Sequence, residues 1–151
     1  MNTLAIPVIT LLTIPDSASI ESMKEGLPMS DHCRENLTTA NFGMGTSPCK
    51  KMLCGFLFLP GRFSSEAGVK AADELARLSG CKFRLGTPLE ALAYKKSGAT
   101  YPKQWVVLSK KDSGSVLTWS VWLGDPRFSL RSWRGVWDSD CGVFVVKEPE
   151  G

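Results

Sequence analysis

From residue 103 to residue 146, apolar residues recur at alternate positions, and this period-two pattern constrains the fold more than any other feature. Residues 103–110, 115–123, 130–137 and 141–146 each read as a strand. The intervening segments 111–114, 124–127 and 138–140 are short and rich in Asp, Ser, Gly and Pro, the residues of turns. Short turns join strands that run in opposite directions, so the segment predicts a four-stranded antiparallel meander.

The upstream signals are mixed. Residues 4–14 read as a strand, with Pro7 placing its start at a sheet edge. Asp16 or Ser17 is expected to cap a short helix carrying Ile20, Met23 and Leu27, and Ser30 a second turn over 31–37. Residues 41–51, with two glycines and a proline, read as a loop. Residues 52–59 are apolar on both faces and predict a central strand. A helix follows over 64–80, capped by Ser64 or Ser65, stopped by Gly80, with Val69, Ala72, Leu75 and Leu78 as its inner stripe. After a short strand at 81–85, Thr87, Pro88 and Glu90 spell a capping box that opens a helix ending near Gly98.

These elements predict an α+β fold: an antiparallel sheet ending in the C-terminal meander, with two to three helices packed on one face. At 151 residues the chain is long enough for a single domain, with 1–48 a less regular N-terminal part and 49–151 the main body. The apolar start at 4–15 lacks the basic residues of a secretory signal and is too short to span a bilayer, so no membrane role is expected. The five cysteines, Cys33, Cys49, Cys54, Cys81 and Cys141, have no disulfide-framework spacing and predict reduced thiols in a cytoplasm.

Few chemistries find their residues here. A zinc site would need Cys49, Cys54, His32 and Cys33 together, but adjacent His and Cys seldom hold one ion, and Cys54 sits in an apolar strand. His32 is the lone histidine available as a base, and nothing in the sequence brings Cys141 to it. Asp125, Asp138 and Asp140 lie where turns favour aspartate anyway. The glycines before Lys50 lack the spacing of a phosphate loop. No catalytic residue, metal or cofactor is therefore expected.

What remains is a crowd of Trp119, Trp122, Trp133 and Trp137 threaded with Arg127, Arg131 and Arg134. Alternation places Trp119 in the core with Leu117 and Val121, and Trp122 on the opposite face. Arg131, Trp133 and Trp137 share one parity, so they go to one side together. A net charge of +3, concentrated after residue 60, is mild for nucleic acid, and Trp with Arg is the composition that protein hot spots favour. The sequence thus predicts a non-catalytic binding module. Its partner is a protein, or a second copy, met through Trp122, Arg127, Arg131, Trp133, Arg134 and Trp137. The alternatives are a small-ligand protein or enzyme with an aromatic-lined pocket, and single-stranded nucleic acid stacked on the indoles.

Overall fold

The computed structural model describes residues 9–16, 18–42, 51–80, 82–100, 102–109, 114–122 and 124–147, the side chains of Ile9 and Trp122 excepted. Residues 4–8 of the predicted first strand, most of the 41–51 loop, Ser17, Cys49 and Cys81 lie outside these. The fold is α+β, with a mostly antiparallel, mixed sheet of seven strands. Its path runs β1 (Ile9–Thr13), β2 (Lys51–Leu57), β9 (Gly142–Lys147), β5 (Gln104–Val107), β6 (Ser115–Trp122) and β7 (Asp125–Ser132). β4 (Phe83–Leu85) joins β9 beyond the end of β5.

The predicted four-stranded meander is corrected in two places. The turn after β6 is tighter than residues 124–127: Trp122 pairs with Asp125, Gly124 takes a left-handed φ of +75°, and β7 begins at Asp125. The predicted third strand, 130–137, then breaks at a turn over Trp133 and Arg134. Its last residues form β8 (Val136–Trp137), which pairs with β3 (Phe63–Ser64) in a separate small sheet. The fourth strand does not lie beside the third. β9 crosses back to pair antiparallel with β2 and parallel with β5. Its residues Gly142 to Val146 are all buried, and a strand apolar on both faces belongs at the centre of a sheet covered on both sides.

That coverage corrects the expected placement of the helices on one face. Phe144 and Val146 of β9 pack with Met52, Phe56, Trp105, Leu117 and Trp119, under α1 (Ile20–Met23), α2 (Asp31–Asn36), α3 (Thr39–Phe42) and α5 (Pro88–Lys96). Val143 and Val145 face the other way, with Val106 and Val116, under α4 (Ser65–Ser79). Among the described residues only α4 and α5 exceed a couple of turns.

The capping box of α5 forms as its sequence predicts, with Thr87 and Glu90 bonded reciprocally and Pro88 in the first turn. α1 is capped by Ser19, not Asp16 or Ser17, because Ser22 three residues on can return the bond. α4 is turned relative to the expected stripe: Ser65, Gly68, Ala71 and Ala72 are buried, and Leu78 is exposed. Gly68 dictates this, since a Cβ there would meet the Leu108 side chain, so the helix comes closest to the sheet along its smallest residues. Among the described residues no helix is long and apolar enough to cross a membrane.

Candidate functional site

The face of the sheet beneath α4 divides in two. Under α4 it is apolar, but further out, on β5, β6 and β7, it becomes polar. Gln104, Ser120 and Arg127 stand in register across three strands, and the Thr118–Ser129 pair forms the next row on β6 and β7. Thr118 donates its hydroxyl to the Ser129 carbonyl at 3.1 Å and is itself buried. Arg131 continues this face along β7 beside Val116.

Residues 133–141 hang over part of this polar face, and the start of α4 holds them there. Ser65, fully buried, donates its hydroxyl to the Trp133 carbonyl at 2.7 Å and accepts the Trp137 indole N–H at 3.1 Å. The Trp133 indole donates to Glu66 at 2.8 Å, and the Trp133 amide donates to the Gly114 carbonyl.

Trp137 is therefore only 4% exposed and belongs to the core under α4. Its expected position on an open recognition surface is corrected: its ring and its N–H are both satisfied inside. Trp133 is half-buried against the same cluster, and Arg131 lies over the Trp137 ring with its guanidinium carbon 5.5 Å from the centroid. The three residues do share a side, the α4 side. Trp119 is core on the opposite face, where the Lys95 ammonium stands 3.9 Å above its ring. Arg127 is exposed near the hairpin end, 3.7 Å from Asp125, and Arg134 is exposed in the turn. The Trp122 side chain lies outside the described residues.

Beneath the suspended segment is a small cavity of about 50 Å³, touched by Gln104, Thr118, Ser120, Arg131, Trp137, Asp138 and Cys141. Gln104 and Asp138 also border a much larger open cleft of about 830 Å³ at the end of the sheet. Its remaining walls are Phe58, Pro102, Lys103, Val121, Ser139 and Asp140. The polar parity of Thr118 and Ser120 is a sequence signal for the small cavity, not for the cleft. Phe58, Pro102 and Lys103 carry no such signal, because they come together only where β2 ends and β5 begins.

The nucleophile candidates are placed apart. His32 is exposed on α2, which packs on the face opposite α4, and its Nδ1 lies 3.3 Å from the Asn36 amide nitrogen. Cys141 lies on the α4 side. Burial pushes the Cys33, Cys54 and Cys141 thiols up to about 12, with Asp140 and Asp138 adding to the effect at Cys141. These thiols are protonated at neutral pH and inert as nucleophiles. In a Cys49→Ser/Cys81→Ser background, native protein at pH 8 is expected to react with iodoacetamide more than about tenfold slower than urea-unfolded protein. Mass-mapped labelling of Cys141 at the unfolded rate would show its burial to be wrong. Among the described residues, no group of three His, Cys, Asp or Glu side chains is placed to hold a metal ion.

In comparison with known proteins, the chain matches no protein-family model, no curated protein and no solved structure.

Proposed function

We propose that this protein works by binding a protein partner, through the polar face of β5–β7 and the cleft that continues it. The observation that carries this reading is the register of Gln104, Ser120 and Arg127, which sets three hydrogen-bonding side chains in a row across the sheet beside an 830 Å³ opening. Arg127 and Arg131 supply positive charge on that face, and Arg134 stands at its rim. Trp133 offers the exposed part of its ring, while Trp137 acts from below by supporting Arg131. Exposed arginine beside a part-buried indole suits the edge of a protein hot spot.

Base stacking finds less support. It needs open aromatic faces, and Trp137 has none to give. A small-ligand reading draws on the cleft, whose volume falls within the range of about 300–1,000 Å³ usual for ligand pockets.

The test is affinity capture from an extract of the source cell with wild-type protein, Arg127→Glu, and Arg77→Glu as a control on exposed α4 surface. Charge reversal at the edge of an interface is expected to weaken the specific partner about tenfold with Arg127→Glu and to leave it unchanged with Arg77→Glu. Sedimentation of the protein alone identifies a second copy as the partner if an oligomer is lost in the same variant. A partner captured equally by Arg127→Glu and Arg131→Glu puts the site elsewhere.

A further inference from the structure

The path of the large sheet ends in two edge strands, β7 and β1, and the two differ in their protection. On the outer side of β7 the Phe128 amide donates to the Pro28 carbonyl at 2.9 Å, and the Phe128 carbonyl accepts from the Ser30 amide at 3.0 Å. A neighbouring segment thus occupies the middle of that edge. Pro126, of the same parity as Phe128, removes a donor from it, and Asp125, Arg127 and Arg131 carry charge along the strand. These devices keep a sheet from pairing with another sheet. β1 has none of them. Its sequence, ITLLT, holds no charge and no proline, and among the described residues its backbone pairs only with β2.

The face beside that open edge is apolar as well. Leu12 and Met52 enter the core with α1 and α5, so Leu11 and Leu53 point the other way, to the side of α4. α4 lies over β9 and β4, and Leu11 and Leu53 remain 64% and 37% exposed. The two stand directly opposite each other across β1 and β2. An uncharged edge beside an apolar face is a template for one more strand.

A second β1 fits that template. Leu11 is the midpoint of the strand, so antiparallel pairing about a twofold axis at Leu11 engages every residue of both copies, with Ile9 opposite Thr13. Leu53, Leu11 and their two counterparts then form one row across four strands, which covers both leucines at once. Charge is compatible with this pairing. Lys51 lies beside Thr13 and Lys147 beside Leu53, so strand spacing keeps the lysines of the two copies about 20 Å apart or more, well beyond the screening length of about 8 Å. A twofold contact also closes on itself and leaves no edge for open-ended growth.

We infer that β1 pairs antiparallel with β1 of a second copy about a twofold axis at Leu11, joining two sheets into one. This pairing is independent of the partner-binding reading above, which uses the β7 end of the sheet. Two five-residue strands and four leucines make a small interface, so a Kd of about 10–100 µM is expected.

Sedimentation velocity of the full-length protein from about 5 to about 500 µM is expected to show the mean mass rising from monomer toward dimer. Leu11→Lys sets two ammonium groups face to face on the axis and should weaken dimerisation more than about tenfold. Leu78→Lys, the same change at an equally exposed leucine of α4, should leave it unchanged, and so should Arg127→Glu. Cross-linking reads the register. In a Cys49→Ser/Cys81→Ser background, a bismaleimide spanning about 8 Å should join two copies of Leu11→Cys and should not join two copies of Thr13→Cys, which stand about 14 Å apart in this pairing.

A wild-type monomer across the whole range overturns the inference, as does a dimer that survives Leu11→Lys or is lost in Arg127→Glu. Cross-linking of Thr13→Cys without Leu11→Cys overturns the axis. A monomer whose capture of another protein fails with Leu11→Lys gives the edge to that protein instead. A monomer whose β1 amides resist hydrogen exchange gives it to another part of the same chain.

Discussion

Glu90→Ala is expected to lower the unfolding free energy by about 3 kcal/mol, at the lower end of what breaking a buried ion pair costs. Glu90 is fully buried, and both of its carboxylate oxygens are engaged. Oε1 accepts from Arg84 Nη1 and from the Thr87 amide, each at 2.9 Å, and Oε2 accepts from Arg84 Nη2 at 2.6 Å. The carboxylate therefore does two jobs. It completes the capping box of α5, and it ties that helix to β4, where Arg84 resides. Alanine would take the carboxylate from the guanidinium, which keeps the Leu85 carbonyl at 3.0 Å, and from the Thr87 amide. The Arg84 side chain keeps 32% of its exposure, so water recovers part of the loss, which is why the lower end of the range applies. Glu90→Gln keeps an acceptor for one of these donors and should fall between wild type and alanine. Urea unfolding with an unchanged m-value checks both. An alanine variant within about 1 kcal/mol of wild type would show that the pair is solvated and not structural.

Gly86→Ala is the second substitution with a large expected effect, about 3 kcal/mol, the upper part of the usual range for overpacking. A Cβ at Gly86 would run into the Cδ2 and Cε2 atoms of Phe144. Neither partner has room to retreat. The Gly86 amide donates to the Phe144 carbonyl at 3.0 Å, which fixes the two backbones together. The Phe144 ring is fully buried among Phe56, Tyr94 and Trp105, with centroids 5.4–5.9 Å away. Gly61→Ala is the control, because a Cβ there meets nothing within 4 Å, and it should be close to neutral. Combining Gly86→Ala with Phe144→Leu should cost less than the sum of the two, by about 1 kcal/mol, since both act on one volume. Full additivity in the double-mutant cycle would mean that the methyl is accommodated elsewhere.

The local elements were largely legible. Thr87, Pro88 and Glu90 announce α5, Ser64 and Gly80 bound α4, and Ser30 caps α2, because a cap depends on residues within a few positions of each other. The alternation that placed Trp119 in the core with Leu117 is equally local. β3 and α3 were not legible: each is too short to show a period. Of the expected recognition residues, Arg127, Arg131 and Arg134 are exposed and Trp133 is half-exposed, but Trp137 is core. Its fate turns on Ser65, seventy-two positions earlier, whose hydroxyl takes the indole N–H.

The sequence by itself determined the α+β class, the strands near 104–107, 115–122 and 142–147, and the core place of Trp119, since these follow from spacing along one chain segment; Arg131, Trp133 and Trp137 share a side across a broken strand because Ser65 of α4 holds the two indole residues there. Tertiary structure alone decided that β9 leaves the meander for the centre of the sheet, that helices cover both faces, and that an indole read as surface is buried. The physical reason is the same for all three. Which face of a strand meets water depends on what packs against it, and here the deciding neighbours, β2 for β9 and α4 for Trp137, lie far away in the sequence.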